Sequence, residues 1–309
     1  MIEAMALGKR YGTHQALDGV SFSVPKGQIV GLLGQNGAGK TTLLNIMTGC
    51  LAPSSGSVTI GGHDVLLSPR RAKMLIGYLP EQAPLYDEMT VASYLRFACE
   101  LKCVAGESVS AHISEVARLA GVAEMLPRRI GNLSRGYRQR VGLAQALCGA
   151  PEVVFLDEPT SGLDPAQSRE FCELVKSLNS RATVFFSSHI LGEVQAVCDR
   201  TLILHKGKLI LDSAQTRDQS RVIRLRASIL MPPKQLLPSL RTLDGVLRVE
   251  QEASEREDVT VVTLTAQSDS APECALFKLL SGLQAPLLRL TPVEDSLEDV
   301  FLRATREAS

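Results

Sequence analysis

The segment Gly34-Gln35-Asn36-Gly37-Ala38-Gly39-Lys40-Thr41, followed by Thr42, holds the residue types that a phosphate chain needs, in the order it needs them. Glycines let successive backbone N–H groups curl around an anion without Cβ clashes. A helix starting at the end of the segment turns its positive end towards the same point. Lys40 can reach β- and γ-phosphates, and the Thr41 hydroxyl can hold Mg2+. At average composition the fixed positions of such a loop recur by chance in roughly one chain in a hundred. The apolar run before it and the helical pattern after it narrow that further. This is a nucleotide-phosphate site.

A second cluster supplies acids. In Val153-Val154-Phe155-Leu156-Asp157-Glu158 four apolar residues end in two carboxylates. The run reads as a buried strand whose C-terminal edge carries both acids, the edge at which α/β sheets bind ligands. Asp157 suits a Mg2+ ion, directly or through water. Glu158 is then left to polarise an attacking water. A kinase, a GTPase, a helicase and a transport ATPase all remain open at this point, although no Asn-Lys-x-Asp-type segment for reading a guanine base occurs.

The elements that must position these residues follow from periodicity. Compact apolar runs at Gln28–Leu33, Val153–Leu156 and Thr183–Ser187 predict strands covered on both faces. Ser57–Ile60 runs into Gly61-Gly62, and Thr201–His205 turns through Lys206-Gly207 into Lys208–Leu211, so each predicts a hairpin. Thr41–Met47 is helical, and helix-spaced apolar residues between Thr90 and Ala123 predict a helical insertion over about 84–150. Strands alternating with helices make residues 1–212 an α/β fold. A polar linker is expected over 213–220. Residues 221–309 have another rhythm: strands at Arg221–Ile229, Val246–Gln251, Val259–Ala266 and Leu287–Leu290, helices at Lys234–Leu243 and Pro272–Leu283, and a final helix at Ser296–Arg306. That order is β-α-β-β-α-β with a trailing helix, a small ferredoxin-like α+β domain.

Leu133-Ser134-Arg135-Gly136-Tyr137-Arg138-Gln139-Arg140 precedes the acidic strand, with Ser134 as a helix N-cap and Gly136 in the first turn. Here the chain resembles the ATP-binding cassette (ABC) family, whose signature segment has this form. The resemblance spans about residues 1–212 and includes further motifs in the family's order. Gln82 in Leu79-Pro80-Glu81-Gln82 matches the Q-loop, Ser161-Gly162-Leu163-Asp164 the D-loop, His189 the switch histidine, and Tyr11 the aromatic that stacks on adenine. Arg135 stands where the common form has glycine, and Tyr137 where it has glutamine.

The resemblance implies a P-loop cassette that hydrolyses Mg-ATP. Tyr11, Gly34 to Thr42, Ser134, Gly136 and Asp164 would bind nucleotide; Thr41, Gln82 and Asp157 would hold the metal; Glu158, His189 and Gln82 would carry the chemistry. It also implies two cassettes paired head to tail, Ser134 of one copy closing over the γ-phosphate held by Lys40 of the other. The helical insertion would pass the motion to a membrane-spanning permease. Ser296-Leu297-Glu298-Asp299-Val300-Phe301-Leu302 resembles the closing stretch of cassettes serving drug-type and gliding-motility-type exporters, which implies export.

Composition agrees with that class. Of 309 residues, 45% are hydrophobic and 21% charged, as in ordinary globular proteins. Lys+Arg and Asp+Glu are both 33, which speaks against a nucleic-acid partner gripped by global basicity. Residues 221–309 carry 11 basic against 13 acidic residues, and their only aromatics, Phe277 and Phe301, fall in predicted helices, so no base-stacking sheet is expected. The longest uncharged run, Thr41–His63, is broken by Gly, Pro and Ser and cannot span a bilayer. Met1-Ile2-Glu3 opens without a secretory signal, and seven irregularly spaced cysteines fit a reducing compartment. The expected location is therefore the cytoplasmic face of the inner membrane, with the span supplied by another chain. The alternative is a soluble cassette ATPase acting on a non-membrane partner.

Overall fold

A computed structural model describes residues 1–214, 222–254, 256, 258–267 and 271–293. They fall into two compact units, the first within residues 1–214 and the second within 222–293.

The first unit is built on β3 (Ile29–Leu33), β6 (Ile76–Leu79), β7 (Val153–Leu156), β8 (Thr183–Ser188), β9 (Arg200–His205) and β10 (Lys208–Asp212), in the sheet order β10-β9-β3-β8-β7-β6. Every pairing is parallel except the β9–β10 hairpin. The three predicted core strands stand within one residue of their expected bounds, because fully buried parallel strands leave continuous apolar runs. Strand β6 is an addition. It has only four residues, lies at the sheet edge, and includes a glycine, which hides it from periodicity.

A second sheet, of which the sequence showed only the hairpin at Ser57–Ile60, has the order β2-β1-β4-β5: β1 (Ile2–Tyr11), β2 (His14–Val24), β4 (Ser55–Ile60) and β5 (His63–Asp64). Its strands are irregular, with register shifts between Ala4 and Leu7 and again up to Arg10, and these shifts break the period-two signal. The predicted turn at Gly61-Gly62 joins β4 to β5. Phe22 of this sheet stacks at 5.8 Å on Phe185, which lies 5.8 Å from Phe155, so one aromatic column joins the two sheets. Leu43, Leu44 and Met47 of α1 (Lys40–Met47) enter the same core.

Between β6 and β7 run α3 (Val91–Leu101), α4 (Val109–Leu119) and α5 (Arg135–Leu147), after the short α2 (Pro69–Met74). These helices occupy the stretch predicted as an insertion. Side-chain oxygens cap two of them: Thr90 accepts from the Ser93 N–H, and Ser134 from the Tyr137 N–H. After β7 come α6 (Pro165–Ser177) and α7 (Leu191–Val197), flanking β8.

The second unit contains β11 (Val222–Ile229), α8 (Pro233–Arg241), β12 (Val246–Glu252), β13 (Thr260–Gln267), α9 (Pro272–Gly282) and β14 (Leu287–Pro292). The sheet is antiparallel with order β12-β13-β11-β14, the predicted ferredoxin-like topology. Leu236, Leu240, Leu276 and Leu280 of the helices close its core against Leu225, Ile229, Val262 and Leu264. The final helix expected at Ser296–Arg306, the exporter-like Ser296–Leu302 stretch and most of the 213–220 linker lie outside the described residues.

A buried ion pair fastens the β9–β10 hairpin. Arg200 Nε donates to Asp212 Oδ1 at 2.7 Å, a second guanidinium nitrogen bonds Oδ2, and Nη1 donates to the Ser23 carbonyl at 2.7 Å. Both side chains are buried, so removing one partner strands the other charge. Asp212→Ala is expected to lower unfolding stability by about 3–5 kcal/mol, read as a fall in the urea midpoint.

Candidate functional site

The phosphate loop leaves β3 at Leu33 and enters α1 at Lys40. Gly39 is the N-cap, with φ of 106°, and no side chain caps the first turn. The free N–H groups of that turn therefore face the loop, as an anion site requires. A Cβ at Gly39 would lie 2.6 Å from the Ala16 carbonyl oxygen, so only glycine fits where the loop presses on β2.

Lys40 is almost wholly buried. Its Nζ donates to the carbonyls of Gly34 at 2.6 Å and Gln35 at 3.3 Å, and stands 3.1 Å from Glu158 Oε1. The other Glu158 oxygen, Oε2, makes a 2.7 Å hydrogen bond with His189 Nδ1. Lys40, Glu158 and His189 thus form a single contiguous polar row, drawn from the ends of three neighbouring strands.

Strand register explains why. Leu156 of β7 pairs with Phe186 of β8, so the next residues, Asp157 and Ser187, are opposite each other. Ser187 Oγ donates to Asp157 Oδ1 at 2.7 Å and accepts the Glu158 N–H at 3.0 Å. Glu158 itself has φ of +46°, a left-handed turn that sends its side chain away from Asp157. One hydroxyl therefore holds both the Asp157 carboxylate and the Glu158 backbone.

Burial pushes the Asp157 carboxyl above the usual carboxylate range, while hydrogen bonds from Ser187 and Thr41 pull the other way. A desolvated carboxylate bonded to a threonine hydroxyl is an oxygen donor set of the kind a hard divalent cation takes, so these residues fit Mg2+.

A cavity of ≈ 370 Å³ opens over the row. Tyr11, Lys40, Thr41, Glu158 and His189 line it, as do Gln35, Asn36, Gly37, Gly39 and Thr42. The Tyr11 ring, half exposed, has Lys9 Nζ 5.3 Å from its centroid. Gly34 and Ala38 are buried in the loop beneath, and Asp157 is buried behind Thr41.

Besides Gly34, Ala38 and Asp157, four predicted residues do not line this cavity. Gln82 is exposed on a bend, and its neighbour Glu81 takes the lining position. Ser134 and Gly136 head α5, and Ser134 is exposed. Asp164 caps α6, accepting from the Ala166 and Gln167 N–H groups at 2.9 Å.

Sequence reasoning gave no role to Ser187 or Glu193. Glu193 Oε2 accepts from Thr160 Oγ1 at 2.8 Å and Ser188 Oγ at 2.7 Å, bracing the turn after Glu158 to the strand end before His189. The signal available was two serines closing an otherwise apolar strand, which marks a polar strand end but names no partner.

The family model described as ABC transporter matches residues 17–161. The chain is 36% identical to an uncharacterised ABC transporter ATP-binding protein, YdbJ of Bacillus subtilis, over 97% of this chain and 93% of that one. It is 32% identical to the linearmycin resistance ATP-binding protein LnrL of the same organism, over 99% and 98%. Among solved structures, the dimeric post-hydrolysis state of the cassette MJ0796 bound to ADP and Pi superposes with TM-score 0.62 at 25% identity, covering 69% of this chain and 97% of that one.

Glu158→Gln removes the negative charge that faces Lys40. A non-hydrolysable ATP analogue is expected to bind about three- to tenfold more tightly to this variant, on the order of 1 kcal/mol, by isothermal titration. Equal or weaker binding would show that the ion pair does not compete with nucleotide.

Proposed function

The chain belongs to the ABC transporter family as an ATP-binding subunit, and from that premise we propose that it drives export through a separate membrane-spanning permease by closing and opening an ATP-sandwich dimer. It is an ABC ATPase, binding and hydrolysing ATP. The observation that carries the reading is the Lys40–Glu158–His189 row at the mouth of a glycine-lined phosphate loop.

In that reading the first-turn N–H groups of α1 and Lys40 hold the β- and γ-phosphates and meet the charge that grows during transfer. Glu158 accepts the proton of the attacking water, and His189 keeps its carboxylate aimed while touching the γ-phosphate. Thr41 and Asp157 would hold Mg2+, which when bound neutralises phosphate charge, and Gln82, exposed beside the cavity, would have to turn inward to join them. Tyr11 stacks on the adenine. Ser134, exposed at the head of α5, closes over the nucleotide of a second copy, with Gly136 buried in the same first turn and Asp164 beside it. MJ0796, a cassette of similar fold, is described as dimeric with hydrolysis products bound, which supports pairing.

Export is favoured by the resistance function in the name of LnrL, a relative matched along nearly its whole length. Among the described residues no helix is long and apolar enough to cross a membrane; in this reading the span belongs to a separate permease, on whose cytoplasmic side the cassette would sit. A groove of ≈ 490 Å³ lined by Tyr78, Pro84, Tyr86, Tyr94, Phe97 and Leu101 borders the Gln82 segment and suits an apolar segment of that permease. Residues 1–212 are the ATPase domain, 213–220 the linker, and 221–309 a regulatory domain that supports pairing.

Lys40→Ala is expected to abolish nucleotide binding; normal affinity would count against the phosphate-loop assignment. Glu158→Gln should bind ATP, lose turnover by about a hundredfold or more, and accumulate dimers in light scattering. Unchanged hydrolysis would remove Glu158 from the role of base. Deleting residues 221–309 should leave ATP binding intact and weaken pairing. Purification with a polytopic membrane protein tests the transport reading, and a non-membrane partner would replace it.

A further inference from the structure

Arg135 occupies an unexpected place. It is the first residue of α5, next to the N-cap Ser134, where the helix dipole disfavours a cation. Among the described residues it forms no ion pair. Its guanidinium instead donates to the Ser161 carbonyl at 2.8 Å. It also lies flat on Gly162: a Cβ there would fall 2.3 Å from Arg135 Cζ and 2.4 and 2.5 Å from its two Nη atoms. Gly162 has φ of +70°, so both its conformation and its missing side chain are needed for this seat.

The contact lands on a short tether to the acid. The Ser161 N–H donates to the Glu158 carbonyl at 3.0 Å, and the Leu163 N–H to the Thr160 carbonyl at 3.1 Å, so residues 158–163 form a tight pair of turns. Ser161 lines the same cavity as Glu158. The far side of the turn is held by Thr160 on Glu193. The neighbouring residue Gly136 abuts the Gln167 side chain, where a Cβ would fall 2.8 Å from Oε1. The head of α5 is therefore fastened to the Glu158 turn and to the first turn of α6.

We infer that Arg135 is a positioning residue that makes the head of α5 and the Glu158 turn of one copy move as a unit, coupling the two ATP sites of a dimer. The inference rests on the sandwich reading above. There, Ser134 of a copy engages the nucleotide bound to its neighbour, whereas Glu158 serves the nucleotide bound to the copy itself. Arg135 spans that gap within one chain. ATP captured by the neighbour orders the head of α5, and the guanidinium passes that order to Ser161 and the backbone of Glu158. Occupancy of one site then prepares the other, which is positive cooperativity between sites.

The test measures ATPase rate against ATP concentration for the full-length chain and its Arg135→Ala, Arg135→Lys and Gly162→Ala variants. The wild-type Hill coefficient should lie well above 1, its ceiling for two sites being about 2. Arg135→Ala and Gly162→Ala should each bring it to about 1, the second by displacing the guanidinium. The double variant should be no worse than either single one, because both cut one link. Arg135→Lys should restore part of the cooperativity, since an ammonium can reach the Ser161 carbonyl but cannot cover Gly162. A fall in kcat with an unchanged Hill coefficient would make Arg135 merely structural, and a raised KM alone would make it a direct phosphate contact; each overturns the inference. ATP-dependent dimerisation of Glu158→Gln separates the two levels. If it dimerises and the Hill coefficient ignores Arg135, only this inference fails; if it never dimerises, the sandwich fails with it.

Discussion

Two opposite charges meet in a nearly dry pocket: Lys40 Nζ and Glu158 Oε1 lie 3.1 Å apart, with side chains 6% and 11% exposed. Neither charge would be stable there alone, because desolvation of a lone ion outweighs what scattered dipoles return. Each is also held by further bonds, Lys40 by two loop carbonyls and Glu158 by His189. The pair is consequently a structural anchor between the glycine loop and the end of β7. An anion that took over the lysine would free the Glu158 carboxylate from this ion pair.

The rest of the first unit can be understood as scaffolding for that exchange. Parallel strands put the ends of β3, β7 and β8 side by side, and the paired registers decide which side chains meet. Ser187 then holds the Asp157 carboxylate and the Glu158 backbone with a single hydroxyl, and Glu193 ties the flanking turns together. The hairpin β9–β10 and strand β2 press on the phosphate loop from outside, through the Leu204 and Ala16 carbonyls that abut Gly34 and Gly39. A loop so confined cannot collapse inward without closing on backbone oxygen. Its donors stay spread for an anion.

The second unit is organised differently. Its helices bury one face of an antiparallel sheet, and the other face carries Arg224, Arg226 and Arg248 against Glu250 and Glu252. Such a face interleaves basic with acidic side chains and lacks aromatic platforms among the described residues, which suits protein contacts better than stacked bases. Its topology is the one its alternating apolar rhythm implied.

The strand–glycine loop–helix unit, the strand that ends in two acids and the order of an α/β fold before a small α+β one were all legible from residue types and local spacing. Each is written in consecutive residues: glycines where the backbone must bend, a lysine at fixed reach, acids closing an apolar run. The ferredoxin-like tail was legible for the same reason, since its strands and helices alternate cleanly. The irregular strands β1 and β2 were not, because bulges erase the alternation that marks a half-buried strand. Nor could local spacing show that Glu81 rather than Gln82 lines the cavity, that Ser187 serves both acids, or that Arg135 lies on Gly162. Those facts depend on register and crossing between segments far apart in the chain. Sequence alone determined which groups this protein has for handling a triphosphate; the tertiary structure decided which of them touch, because contact distance is set by packing and not by position along the backbone.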